Sequence, residues 1–256
     1  MMDIFDTLIR ETDKVISIVG GGGKTSLMFL LAHTFQQKGF KVISTTTTHI
    51  LKPSPQQTGE VVLFSRDDFQ DKLQDCLKRH GHATVAHHLL PSGNKLKGEN
   101  CKQVEQIFEH SSANRMIIEA DGARQLSFKA PGDNEPVVPQ ITDVFISVVG
   151  LDIIGKPLDD ANIFRAALVS ARTGLPIGAE ITPLTVAKLA IHPKGLLKGC
   201  PQKARNYIFL NKTDIPGGKE KALSIIKEAK KLEERKPDCW VSASIRENVC
   251  ESYRYL

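Results

Sequence analysis

Residues 15–32, VISIVGGGGKTSLMFLLA, constrain this chain more than any other stretch. Strand formers break at four consecutive glycines, Gly20, Gly21, Gly22 and Gly23, and the chain resumes as a helix opened by Lys24, Thr25 and Ser26. Glycine lacks the Cβ that would keep a backbone from closing around a ligand, and a helix N-terminus behind the loop adds positive potential. A lysine and a hydroxyl at that helix start suit phosphate and Mg²⁺. The pattern G-x-x-x-x-G-K-[ST] asks for a glycine five residues before Gly23, where this chain has Ile18. The shorter G-x-x-G-K-[ST] fits, read as Gly20, Gly23, Lys24 and Thr25, a compressed loop of the kind found in Mur-type ligases. A turn that bound nothing would have no need of Lys-Thr after its last glycine.

The 256 residues suffice for one phosphate-loop domain, with room for a small insertion near 53–110. A net charge of +5, from 34 basic and 29 acidic residues, suits an anionic ligand such as a nucleotide but is too small to indicate a nucleic-acid partner. Five cysteines without C-x-x-C spacing read as reduced thiols. The N-terminus lacks a basic-then-apolar leader, and no apolar run approaches the roughly 18 residues of a membrane span. The expectation is a cytoplasmic protein with no membrane segment.

Strands and helices alternate along the chain. Lys14–Val19 reads as a buried strand, Thr25–Lys38 as a helix stopped by Gly39, and 41–50, KVISTTTTHI, as a second strand. A short strand (VVLF), a charged helix ending at Gly81 and a strand over 83–90 follow, then a polar loop over 92–100 and a helix near Val104–Glu109. RMIIEADGA and DVFISVVGLDIIG read as strands, and 159–174 as an amphipathic helix. Thr182 reads as the N-cap of a helix with Pro183 at its first position. The strand NYIFLNKTD, a helix to about Arg235 and the strand CWVSASI complete the pattern. This predicts an α/β fold with a doubly wound, mostly parallel sheet, P-loop NTPase-like.

Ligands of such sheets bind beyond the carboxyl ends of the strands, and several of those ends here carry polar chemistry. The second strand ends in Thr45–Thr48, from which Thr47 is a candidate Mg²⁺ ligand. Glu119 and Asp121 are two residues apart, hence on one face if the strand continues. One would hold Mg²⁺, for which Asp121 is the candidate beside Thr25, and the other orient an attacking water; the spacing alone leaves that assignment open. Asn211, Lys212 and Asp214 spell N-K-x-D after a strand, the guanine-recognition pattern of GTPases. Ser242 and Ala243 resemble the serine-alanine loop that closes over guanine. His80, His82, His87 and His88 lack metal-site spacing and read as a solvated helix end and edge strand.

VGGGGKTSLM, STTTTHI, IIEADGAR with FKAPGDNEPVVP, VVGLDIIGKPLDD, ITP and NKTD together resemble the YqeC family of selenium-dependent molybdenum hydroxylase accessory proteins, over about Val15 to Asp214. The resemblance implies phosphate binding by Gly20–Thr25, an acidic strand end at Glu119 and Asp121, and a client hydroxylase or its cofactor-maturation proteins as partner. It also draws attention to Arg124, Lys129 and Asp152. Three functions stay open: a slow GTPase, or ATP-using counterpart, serving maturation; a small-molecule kinase or Mur-like ligase; and a nucleotide-sensing module without turnover.

Overall fold

The computed structural model describes residues 2–232 and 236–254. In chain order the elements are α1 (Ile4–Leu8), β1 (Val15–Gly20), α2 (Lys24–Gln37), β2 (Val42–Thr46), β3 (His49–Leu51), β4 (Val61–Leu63), α3 (Phe69–His80), β5 (His82–Ala86), β6 (His88–Leu89), β7 (Lys95–Lys97), α4 (Cys101–Glu109) and β8 (Arg115–Glu119). They continue with β9 (Val144–Gly150), α5 (Ala166–Thr173), α6 (Pro183–Ile191), β10 (Arg205–Asn211), α7 (Gly218–Lys230), β11 (Cys239–Ser244) and β12 (Val249–Tyr253).

Nine strands form one sheet in the order β12-β11-β10-β9-β1-β8-β2-β5-β4. All neighbours run parallel except β12, which returns antiparallel on β11. Because strand side chains alternate, Ile16 and Ile18 enter the core under α1 and α2, while Val15 and Val19 enter the core shared with α3 to α7. With helices on both faces, the central strands are buried throughout, so they read as continuous apolar runs. The fold is α/β and doubly wound, with the glycine loop joining β1 to α2 in P-loop fashion. No helix among the described residues is long and apolar enough to cross a membrane.

Several local expectations change. The polar stretch 92–100 contains β7, which pairs with β3 and β6 in a separate three-stranded sheet. Its Lys-Leu-Lys alternation buries only Leu96, so its composition looks like a loop. The expected helix over 159–174 begins only at Ala166. Asp159 Oδ1 captures the backbone N–H groups of Ala161 and Asn162, and Asp160 Oδ1 accepts from Ala166 N, holding the preceding residues in turns. β5 is flanked by β2 and β4 rather than lying at an edge, which leaves His82 1% exposed. Thr182 caps α6 through a capping box with Thr185 and with Pro183 inside the first turn, as the sequence reads. The expected helix end near Arg235 lies outside the described residues.

Candidate functional site

The glycine loop sits at the carboxyl edge of β1, between the ends of β9 and β8. Gly20 and Gly22 adopt φ of +93° and +79°, and a Cβ on Gly20 would lie 2.3 Å from Val148 O, so glycine is demanded twice over at that position. The loop is tied from below. Gly21 N–H donates to Val148 O at 2.8 Å, Gly22 N–H to Leu126 O at 3.1 Å, and Gly20 N–H to both carboxylate oxygens of Asp121. The N–H groups from Gly23 to Ser26 have no acceptor among the described residues and border a cavity of about 1080 Å³. Those donors open α2, where the helix dipole favours an anion.

Lys24 folds back over the loop. Its Nζ donates to Gly20 O at 2.8 Å and lies 3.4 Å from Glu119 Oε1 and 3.3 Å from Asp121 Oδ1. Burial pulls the ammonium's pKa down, but the Asp121 and Glu119 carboxylates outweigh it and the net direction is up, so Lys24 is held charged. Burial pushes the Glu119 carboxyl up, against the pull of Lys24 and of the Thr25 hydroxyl, which donates to Glu119 Oε2 at 2.6 Å. Thr25 and Glu119 both line the cavity and present hard oxygen donors, which fits Mg²⁺.

Asp121 has a different position from its neighbour. It is 1% exposed, does not line the cavity, and is shared between the Gly20 N–H, Lys24 and Lys129, whose Nζ is 2.9 Å from Oδ2. The structure thus sets Asp121 beneath the loop and not among the groups lining the cavity, beyond the end of the strand at Glu119. Lys129, also 1% exposed, continues the chain of charges to Glu135, which Arg165 holds from the other side at 2.7 Å. Thr47 is drawn away as well: its hydroxyl donates to Val137 O at 2.7 Å, and it does not line the cavity.

Asn211, Lys212 and Asp214 all line the cavity. Asn211 Nδ2 donates to Gly22 O at 2.8 Å, and its Oδ1 accepts from Ile245 N at 3.1 Å, so one side chain joins the glycine loop to the loop after β11. Lys212, at φ +75°, reaches Ser127 Oγ at 2.8 Å and Asp152 Oδ2 at 2.9 Å. Burial pushes the Asp152 carboxyl up, but Lys212 and Ser127 outweigh that and hold it below the usual range. Asp214 is exposed on the rim. Ser242 and Ala243 are buried within β11 and do not border the cavity; Ile245 and Arg246, just beyond them, do.

The sequence reading missed Ile245, Arg246, Gln125 and the wall formed by His49, Leu51, Asn94 and Lys95. The strand-then-loop position after SAS was a signal for the first two; nothing local pointed to the others. The four histidines do not converge, and among the described residues no group of three or more His, Cys, Asp or Glu is arranged to hold a metal ion.

Residues 16–167 match the family model described as YqeC protein. The protein YqeC of Escherichia coli (strain K12) is 31% identical over 209 residues, covering 82% of this chain and 80% of its own length. Among solved structures, FtsY from Mycoplasma mycoides is 12% identical with a TM-score of 0.39, covering 93% of this chain and 63% of that one. The signal recognition particle receptor FtsY from Elizabethkingia anophelis is 15% identical with a TM-score of 0.38, covering 94% and 62%. The chain therefore spans less than two thirds of either FtsY. By the extent of both sequence matches, the chain belongs to the YqeC family.

Proposed function

We propose that this protein binds a nucleoside triphosphate with Mg²⁺ in the cavity above the glycine loop, prefers GTP to ATP, and hydrolyses it slowly in the cytoplasm while assisting maturation of a selenium-dependent molybdenum hydroxylase. The observation that carries the nucleotide reading is the pair of hydrogen bonds made by Asn211, donated to Gly22 O and accepted from Ile245 N, which holds N-K-x-D against the glycine loop. Phosphates would meet the N–H groups of Gly23–Ser26 and the Lys24 ammonium. Three residues beyond Asn211, Asp214 would accept from the guanine N1–H and amino group, which adenine lacks in that pattern.

Thr25 and Glu119 would hold Mg²⁺, which supplies charge neutralisation at the phosphates. Glu119 would also orient the attacking water, whereas Asp121 would keep Lys24 and the Gly20 backbone in place. Maturation of a hydroxylase client follows only from what the family resemblance implies, not from any feature of the site. Calorimetry with GTP, ATP, GDP and ADP, with and without Mg²⁺, tests the core of the reading. Tightest binding of GTP with Mg²⁺ is expected; equal or tighter ATP binding removes the guanine preference, and no binding removes the whole reading.

The wall of His49, Leu51, Asn94 and Lys95 favours a second reading, a small-molecule kinase or Mur-like ligase, because the cavity continues past the strand that carries Glu119. Phosphate transfer to a small acceptor without any protein partner would establish it. Tight binding with no phosphate release even beside the client would instead leave a nucleotide-sensing module.

A further inference from the structure

The three-stranded sheet has two unlike faces. Ile50 and Leu96 turn inward and are 3% and 1% exposed, packed in the core with α2. The opposite face carries His49 and Leu51 on β3, Lys95 and Lys97 on β7 and His88 on β6. In register, His49 pairs with Lys97, Lys97 with His88, and Leu51 with Lys95. Directly opposed residues have Cβ atoms about 4.5–5.5 Å apart, so the row gathers nitrogen-bearing side chains on one face. This row sets a lysine between two histidines, with a second lysine two residues along. Among the described residues neither Lys95 nor Lys97 forms an ion pair. Glu99, two residues past Lys97, is buried and turned to His87 Nδ1 at 2.7 Å.

This basic face adjoins the proposed nucleotide site. His49, Leu51, Asn94 and Lys95 line the same cavity as Lys24 and Glu119. The strand order explains how. Beyond the carboxyl edge, the N-K-x-D end lies over β10, the glycine loop over β1, Glu119 at β8, and β3 follows directly from β2. A nucleotide with its base at Asp214 and its phosphates on the loop would thus end its phosphate chain facing β3 and β7. The cavity, of about 1080 Å³, lies at the upper end of the roughly 300–1,000 Å³ of ordinary ligand pockets.

Resting on the nucleotide reading for what fills the other half, we infer that the β3–β7 face is a second ligand site, for a phosphate-bearing organic molecule bound beside the nucleotide. Lys95, which lines the cavity, engages its phosphate with Lys97 supporting it from two residues along the same strand face, His49 and Asn94 donate hydrogen bonds, and Leu51, 45% exposed, covers its apolar part. Charge complementarity selects the anion, and the leucine selects an organic monoester over free phosphate.

Phenyl phosphate is the probe, read by backbone amide chemical shifts in protein saturated with Mg²⁺ and a non-hydrolysable GTP analogue, and separately in Lys24→Ala protein. Saturable shifts at Leu51, Lys95 and Lys97 in both samples are expected, with orthophosphate binding more weakly. Lys95→Gln combined with Lys97→Gln should weaken phenyl phosphate at least tenfold. Lys227→Gln with Lys230→Gln on α7 should change it less than twofold. Absence of shifts at β3 and β7, shifts confined to the glycine loop, or equal weakening by the two lysine pairs would overturn the inference. Failure of nucleotide binding alone would not, since the Lys24→Ala sample reports on the β3–β7 face without it.

Discussion

Asn211 and Gly22 are 189 residues apart in sequence, yet the Asn211 amide donates to the Gly22 carbonyl at 2.8 Å while its oxygen receives the Ile245 N–H. Asn211→Ala removes both bonds and leaves a half-buried carbonyl and N–H to find other partners. The cost is about 1–3 kcal/mol, so nucleotide affinity should fall roughly five- to a hundredfold. Calorimetry would show it, and unchanged affinity would mean that the tie is structural ornament.

Lys24→Ala should weaken nucleotide binding ten- to a hundredfold, from loss of a charge-assisted contact of roughly 1.5–3 kcal/mol. It should also destabilise the nucleotide-free protein, because Glu119 and Asp121 lose a buried cation, a change that typically costs about 3–5 kcal/mol. Denaturant unfolding beside calorimetry separates the two effects. A variant with wild-type affinity would end the phosphate-loop reading.

The acidic pair should divide by position. Glu119→Gln should retain nucleotide but lose phosphate release and blunt the Mg²⁺ dependence, since Glu119 faces the cavity beside Thr25. Asp121→Asn should instead lower the melting temperature, because it removes a buried charge between Lys24 and Lys129. Single-turnover release with the client hydroxylase, run beside thermal unfolding, tests both. Identical profiles for the two variants would refute the division.

Asp214→Asn should shift preference from GTP toward xanthosine triphosphate. Asparagine donates where aspartate only accepts, matching the 2-oxo group and mismatching guanine's donors. Competition binding with the three triphosphates reads this directly; a variant that still prefers GTP shows that Asp214 does not touch the base.

His82 gives a pH dependence independent of ligand. Its Nε2 meets Ser44 Oγ at 3.0 Å, while Nδ1 has no partner among the described residues. Burial, with His33 beside it, pulls its pKa from 6.5 down to about 4. The folded state therefore binds fewer protons than the unfolded one, so stability present above the unfolded value is lost as pH falls from about 6.5 toward 4. At pH 5 that amounts to roughly 2 kcal/mol relative to pH 7. His82→Gln should remove most of the drop in denaturant midpoints; an undiminished drop would assign it to other groups.

The glycine loop, the acidic strand end and N-K-x-D were legible because each is a local pattern: backbone freedom, carboxylate spacing and a strand terminus can be read within a few residues. Orientation was less legible. Whether Asp121 faces a ligand or the underside of the loop depends on where β8 stops, and Thr47 is turned aside by the carbonyl of Val137, 90 residues away. The small sheet escaped notice because β6 and β7 are two and three residues long and bury little. Ile245 and Arg246 entered the cavity only through the tertiary approach of β11 to β10.

The three N–H groups of Gly20, Gly21 and Gly22 are already committed to Asp121, Val148 and Leu126. The ordering of the most flexible residues in the chain is therefore completed during folding and charged to the stability of the domain, not to the encounter with a ligand. A phosphate arriving at Gly23–Ser26 meets donors flanked by glycines already hydrogen-bonded, so the entropy of ordering those glycines does not subtract from its affinity.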